Sequence, residues 1–178
     1  MPRPYFKEPN KIQEMIQVNH AGEFGAQQIY KAQIKFARSK ATKMILDEML
    51  QQELAHLEYF TNEIKSGRGR PTMLLPIWRI FGYGLGAVTG IMGHKYVMLA
   101  TESVEEVIVN HYQDQINYLK AHDPSNPMLA KIQQFQQDEA AHIKIAIDSE
   151  YDSSFSLRIM KQMVKVICHS AIYLSKKV

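Results

Sequence analysis

Two glutamate–histidine pairs with the same spacing occur in this chain. Glu53 precedes His56 by three residues, and Glu139 precedes His142 by three residues. Positions i and i+3 share one face of a helix, so the carboxylate and imidazole of each pair can reach one metal ion. A single pair is more typical of a solvated helix face than of a ligand set. The repetition matters only if the two pairs meet in the fold.

Each pair is preceded by a further glutamate on another predicted helix. Glu23 lies 30 residues before Glu53, and Glu105 lies 34 residues before Glu139. Two halves with one glutamate and one Glu-x-x-His motif each indicate a duplicated helical hairpin. Two such hairpins form a four-helix bundle whose six polar side chains point into the core at one level, as in ferritin-like di-iron proteins.

The surroundings of Glu23 leave two interpretations open. Gly22 and Gly25 lie on either side of it within a helical stripe. Interior glycines each cost a helix about 1 kcal/mol relative to alanine, so the two indicate close approach of another element. The alternative is a helix break that leaves Glu23 in solvent.

Glu105 is one of three glutamates crowded on one predicted helix. It shares its stripe with Ile108 and Tyr112 and therefore points inward best, whereas Glu102 and Glu106 lie nearer the flanks.

Charge and ligand type favour iron for this set of six. Four buried carboxylates would repel one another and could not all ionise without cations. Two divalent ions supply the balancing charge, and oxygen-rich ligands with imidazole suit iron(II) or manganese(II). Zinc usually takes fewer ligands, with more nitrogen or sulfur. A carboxylate-bridged di-iron centre binds and reduces dioxygen, but its ligands do not identify what is oxidised.

The apolar periodicity predicts an all-α fold in a single domain, 1–178, with an irregular lead at 1–10. Four long helices carry the candidate ligands: a stripe from 12 to 37, then 39–65, 96–120 and 128–150.

The single cysteine, Cys168, excludes an internal disulfide framework, an iron–sulfur cluster and a Cys-x-x-Cys zinc site within one chain. No secretory signal or transit peptide is recognisable, so we expect a cytoplasmic, bacterial protein.

Two further segments lie outside the four ligand-bearing helices. Residues 73–93 are the most apolar stretch and are nominally long enough to span a bilayer. Pro76, Arg79 and five glycines favour a short helix instead, either buried or facing the membrane interface. Residues 155–175 predict a basic amphipathic helix without acidic residues. It is either a packing helix with a solvated basic side or a docking surface for an anionic membrane. The chain has a net charge of +3, and residues 153–178 alone carry five basic and no acidic residues, but this asymmetry does not indicate nucleic-acid binding.

Five motifs resemble the demethoxyubiquinone hydroxylase family of ubiquinone biosynthesis. They are N-H-A-G-E-F-G-A at 19–26, Q-E-L-A-H at 52–56, R-P-T-M-L-L-P-I-W at 70–78, V-E-E-V-I-V-N-H-Y at 104–112 and D-E-A-A-H at 138–142. The resemblance covers nearly the whole chain. It implies a ferritin-like di-iron monooxygenase that uses dioxygen to hydroxylate the ring of a polyprenylated demethoxyubiquinol.

The family pattern also implies roles for individual residues. The iron ligands (Fe²⁺/Fe³⁺) would be Glu23, Glu53, His56, Glu105, Glu139 and His142, with Glu53 and Glu139 as the expected bridges. His111 and Tyr112 would orient ligands or donate to the oxygen intermediate, with ordinary core packing as the alternative.

The resemblance further implies a peripheral protein at the cytoplasmic face of the bacterial cell membrane. The apolar segment and the basic helix are the candidate docking face, with room for an accessory lipid-binding or biosynthetic-complex partner and for a homo-oligomer. This chain has Glu14 and His169 where some family members, as we align them, carry arginines proposed to engage NADH or quinone. The electron donor, NADH or another, is therefore left open.

Two other functions compete with the hydroxylase. A ferritin-like or rubrerythrin-like protein would store iron or remove peroxide, but the absence of a Cys-x-x-Cys relay and the presence of the 73–93 segment count against it. A non-enzymatic, membrane-associated helical scaffold would leave the six inward ligands unexplained.

Overall fold

A computed structural model describes residues 11–149 and 154–178. All regular structure in these two ranges is helical, which confirms the predicted all-α, ferritin-like class. The helices are α1 Lys11–Phe36, α2 Lys40–Lys65, α3 Leu75–Met92, α4 His94–His122, α5 Pro127–Asp148 and α6 Phe155–Ser175. The irregular lead predicted at 1–10 lies outside the described residues.

Helices α1, α2, α4 and α5 form the four-helix bundle. α1 packs along α2, α4 packs along α5, and the two hairpins meet through α1 with α4 and α2 with α5. Local sequence fixes the ends of these helices. Ser39 caps α2 by accepting from the Thr42 amide, and Asn126 caps α5 by accepting from the Met128 amide. Pro127 occupies the first position of α5, where its missing N–H costs nothing.

The bundle core consists of two apolar clusters separated by a polar layer. One cluster contains Phe60 of α2, and the other contains Met49 of the same helix. Glu53 and His56 lie between these two positions, and the candidate ligands of α1, α4 and α5 also lie between the clusters. The polar side chains are therefore held at one level by apolar packing above and below them.

Helix α3 packs closely against α1 because glycines of α3 face α1. A Cβ placed on Gly82 would lie 2.8 Å from the Gly25 carbonyl oxygen, and one placed on Gly86 would collide with the Ile29 carbonyl. At the start of α3, the Trp78 indole N–H donates to Ser175 Oγ of α6 at 2.9 Å. Among the described residues, no helix combines the length and apolarity needed to cross a membrane.

The basic side of helix α6 faces α4 and is not the solvated side considered above. Lys161 Nζ lies 2.6 Å from Glu102 and 2.9 Å from Glu106 of α4, and Lys165 also pairs with Glu106. Much of the opposite, apolar side is exposed instead, including Met163. The physical reason is that Glu102 is buried and Glu106 half-buried, so both carboxylates need cations close by.

Candidate metal centre

The structure brings the six predicted ligands together as two overlapping groups. One consists of Glu23, Glu53, His56 and Glu139, and the other consists of Glu53, Glu105, His142 and Glu139. Within each group one ligand atom per residue lies within 4.8 Å of the others. Glu53 and Glu139 belong to both groups, which is the position that bridging carboxylates require. The helix-break alternative for Glu23 is wrong, since Glu23 lies inside α1 and is buried.

The chemistry of the six side chains fits a pair of cations. All six are at most 3% exposed, Glu53 Oε1 makes no hydrogen bond, and Glu139 Oε2 lies 3.0 Å from His142 Nδ1. Leaving buried polar atoms unpaired costs about 1–3 kcal/mol each, so this is an expensive arrangement without a ligand. Four carboxylates and two imidazoles that converge in this way suit a di-iron site.

Two of the clustered carboxyl groups, those of Glu53 and Glu105, have raised pKa values. Burial, followed by the charges of Glu139 and Glu23, raises the pKa of Glu53 well above its usual value. Burial and the charge of Glu139 likewise raise the pKa of Glu105. Without cations, these two groups therefore retain protons at a pH where an exposed glutamate has lost its own.

Glu139 and His56 stabilise each other's charge. Burial acts to raise the pKa of Glu139, but hydrogen bonds from His142 and His56 outweigh it and lower that pKa to about 2. Burial also acts to lower the pKa of His56, but Glu139 and Glu23 raise it to about 11. The protonated imidazole takes the place of a cation beside these carboxylates in the metal-free protein.

Two tyrosines hold the non-bridging glutamates from the opposite half of the bundle. The Tyr30 hydroxyl of α1 donates to Glu105 Oε1 of α4 at 2.6 Å, and the Tyr112 hydroxyl of α4 donates to Glu23 of α1. Both tyrosines are buried. Tyr112 thus contacts a candidate ligand. Tyr30 was missed, although it follows Glu23 by the same seven residues that separate Tyr112 from Glu105.

The two histidines are also held across the halves. His56 Nε2 lies 3.1 Å from Asp138 Oδ2, and His142 Nε2 lies 2.7 Å from Gln52 Oε1. Sequence reasoning missed both acceptors. The available signal was positional, since each acceptor directly precedes a ligand glutamate of the opposite half.

His111 lies apart from the candidate ligands. Its Nε2 contacts Gln115, and it borders a small polar cleft with Glu14 and Lys176. Burial, together with the nearby positive charges of Lys176 and Lys11, lowers the pKa of His111 to about 4. The side chain does not belong to either ligand group, so the expected role in orienting ligands is not supported by direct contact.

An apolar cavity of about 510 Å³ lies between α1, α3, α4 and α6. Its inner wall includes Gly22, Val104 and Ile108, which are close neighbours in sequence of Glu23 and Glu105. Cys168 also lines it, and burial, with the charge of Glu105, raises the pKa of that thiol to about 12. The cavity therefore adjoins the candidate metal centre.

The outer edge of this cavity is formed by apolar side chains that are also exposed. We call these four residues the apolar rim: Ile80, Phe81, Val88 and Ile167. Their exposed fractions run from 45% to 72%, so the cavity opens between α3 and α6. Its size is typical of small-molecule sites.

Comparison with known proteins identifies similar chains over nearly the full length. The model of the family described as "Ubiquinone biosynthesis protein COQ7" matches residues 10–175. A Rhodospirillum rubrum protein named 3-demethoxyubiquinol 3-hydroxylase is 34% identical over 168 residues, which cover 94% of this chain and 78% of that protein. A Mus musculus protein named NADPH-dependent 3-demethoxyubiquinone 3-hydroxylase, mitochondrial, is 34% identical over 93% of this chain and 77% of its own length. A Dictyostelium discoideum protein of that name is 37% identical over 94% of this chain and 77% of its own length.

Proposed function

The chain belongs to the COQ7 family of ubiquinone biosynthesis proteins, and we propose that it is an oxidoreductase that hydroxylates the ring of a polyprenylated demethoxyubiquinol. The observation that carries this proposal is an apolar cavity that opens at an exposed apolar rim and is lined by Gly22 and Val104, the direct sequence neighbours of the clustered Glu23 and Glu105. Two relatives of which this chain covers 77% and 78% are named for this reaction.

The six clustered side chains are proposed to hold two iron ions. Glu53 and Glu139 would be shared by both ions, while Glu23 with His56 and Glu105 with His142 would each serve one. Bound iron would supply the reduction of dioxygen that a hydroxylation needs. Tyr30 and Tyr112 would keep Glu105 and Glu23 in place through their hydrogen bonds. The proposed iron ligands are therefore Glu23, Glu53, His56, Glu105, Glu139 and His142.

The cavity is proposed to bind the substrate ring with its first tail units. Its walls are almost entirely apolar, so they suit a prenyl chain and exclude bulk water from the ring. Glycines at positions 22 and 25 keep this space open along α1. An added Cβ at Gly25 meets no heavy atom within 4 Å, so a larger side chain there would extend into free space.

A peripheral position at the cytoplasmic face of the bacterial cell membrane is proposed on the same grounds. A polyprenylated substrate resides in a bilayer, and the cavity opens between exposed apolar residues of α3 and α6. Exposed Arg79 and Arg158 lie on these two helices and suit an anionic surface.

For the reductant we propose a reduced nicotinamide nucleotide, because the Mus musculus relative is named for NADPH.

The test is quinone analysis by mass spectrometry in a bacterial host that lacks its own hydroxylase. Expression of this chain should convert accumulated demethoxyubiquinone into ubiquinone. Glu53→Ala should abolish conversion, whereas Glu58→Ala, an exposed glutamate on the same helix, should preserve it. Persistent demethoxyubiquinone despite good expression of the native chain would contradict the proposal and favour an iron-storing or peroxide-removing protein.

Two substitutions at Gly25 separate the cavity from the metal centre. Gly25→Ala should be tolerated, because the added Cβ has room. Gly25→Leu should fill the cavity and lower conversion by at least about tenfold, with iron content retained. Full conversion by the leucine variant would remove this cavity as the substrate site.

A further inference from the structure

The two candidate metal positions differ in what holds their histidines. His56 Nε2–H donates to the Asp138 carboxylate at 3.1 Å, whereas His142 Nε2–H donates to the Gln52 amide oxygen at 2.7 Å. In both rings the opposite nitrogen, Nδ1, faces the clustered glutamates. The two halves of the bundle therefore match in geometry and differ by one charge.

A carboxylate acts more strongly on an imidazole than an amide oxygen does. Hydrogen bonds to an ionised acceptor are about twice as strong as those between neutral groups. Such a bond fixes the orientation of the ring and makes its other nitrogen a better donor to a metal ion. The Asp138 side chain is 33% exposed, so water screens its charge only in part.

We propose that the two metal positions are unequal, and that Asp138 makes the position containing His56 the tighter one. Asp138 is a positioning residue, since it acts through the His56 ring and is not in either ligand group. Gln52 holds His142 in the same orientation without adding charge. The first cation to bind therefore enters beside Glu23 and His56, and the second enters beside Glu105 and His142.

This inference rests on the metal part of the proposed function and is independent of the substrate. The test is accordingly a titration of the metal-free protein with Co²⁺ under anaerobic conditions. The titration is monitored by calorimetry and by the visible absorption bands of bound cobalt. The native protein should show two steps whose affinities differ by about tenfold or more.

Exchanging the two acceptors should change these steps in opposite directions. Asp138→Asn keeps the size and the accepting oxygen but removes the charge, and should weaken the tighter step by about tenfold. Gln52→Glu adds a carboxylate beside His142 and should tighten the weaker step. Asp148→Asn, an exposed aspartate on the same helix as Asp138, is the matched control and should change neither step.

Proton NMR at one equivalent of Co²⁺ assigns the tighter position. A cobalt-bound histidine gives a strongly shifted Nε2–H signal, and we expect one such signal that moves in Asp138→Asn and stays in Gln52→Glu. A merely structural role for Asp138 would lower the melting temperature without reversing or merging the steps.

Two equal affinities in the native protein, or steps that neither substitution moves, would overturn the inference while leaving a di-metal centre in place. Failure to bind any Co²⁺ would overturn it together with the metal centre. If Asp138→Asn does not fold, the tightening expected of Gln52→Glu decides the outcome.

Discussion

Burial sets the protonation of individual ligands in the metal-free protein. Glu53 and Glu105 have raised pKa values because burial and neighbouring carboxylates disfavour their charged forms. The pKa of His56 is raised to about 11, because Glu139 and Glu23 outweigh the effect of burial. Metal binding must displace these protons, so it should release them to solvent and become tighter as the pH rises.

The stability of the metal-free protein should fall as the pH rises from about 6.5 to about 8. Over this range the folded state keeps protons on Glu53 and Glu105 that the unfolded chain loses above its ordinary pKa of 4.5. His56 acts in the same direction above 6.5. The lowered pKa of Glu139 matters only below 4.5, and the lowered pKa values of His111 and His20 matter only below 6.5. Thermal melts across this range measure the effect.

The double variant Glu53→Gln/Glu105→Gln should reduce this pH dependence to the contribution of His56, since neither amide titrates. Glu58→Gln, at an exposed position of α2, is the control and should keep the native slope. A melting temperature of the metal-free protein that rises across the range, or a double variant with the native slope, would contradict the assigned protonation.

The spacing of single residues predicted the six converging ligands but not the groups that support them. Glu-x-x-His motifs are readable because helix geometry places both side chains on one face. Tyr30 and Asp138 act on residues of the opposite half, so their partners depend on how the hairpins are apposed. Their repeated offsets from the ligand glutamates were visible, but tyrosine and aspartate at such positions are common in any helix.

At the scale of helices, α6 shows how an amphipathic pattern can predict a helix without predicting which side it buries. The basic stripe and the apolar stripe were both evident. The side of α6 that faces the bundle is determined by Glu102 and Glu106 on α4, which pair with Lys161 and with Lys165. The sequence could not reveal this pairing, because Lys161 is 59 and 55 residues from its two partners and the alignment of α6 along α4 depends on the tertiary fold.

The exposed apolar residues of α3 and α6 should control binding to membranes. Ile91 of α3 and Met163 of α6 are 56% and 60% exposed, and neither lines the cavity. Replacing both with glutamine should weaken flotation with anionic liposomes by about tenfold or more, since burial of one such side chain contributes about 1.5–3 kcal/mol.

Met44→Gln provides the control for flotation, because Met44 is 58% exposed but lies on α2, which does not form the cavity. It should float like the native protein. Flotation of the Ile91→Gln/Met163→Gln variant at the native level would remove this face as the membrane contact.

At the scale of the whole molecule, the bundle is two helical hairpins whose functional side chains interlock. Each half supplies a glutamate, a Glu-x-x-His pair, a tyrosine for the opposite glutamate and an acceptor for the opposite histidine. Neither hairpin alone contains a complete position for a metal ion, because both groups draw on both halves. The cavity between α1, α3, α4 and α6 is lined by direct sequence neighbours of Glu23 and Glu105 of this shared centre.

The most direct test of this account is the metal content of the protein after anaerobic reconstitution with iron(II). The account predicts about two iron ions per chain. His56→Ala and Glu53→Ala should lose iron while their far-UV circular dichroism stays helical, and Glu58→Ala should retain it. Fewer than about one iron per chain in the native protein, or zinc bound in preference to iron, would contradict the di-iron centre.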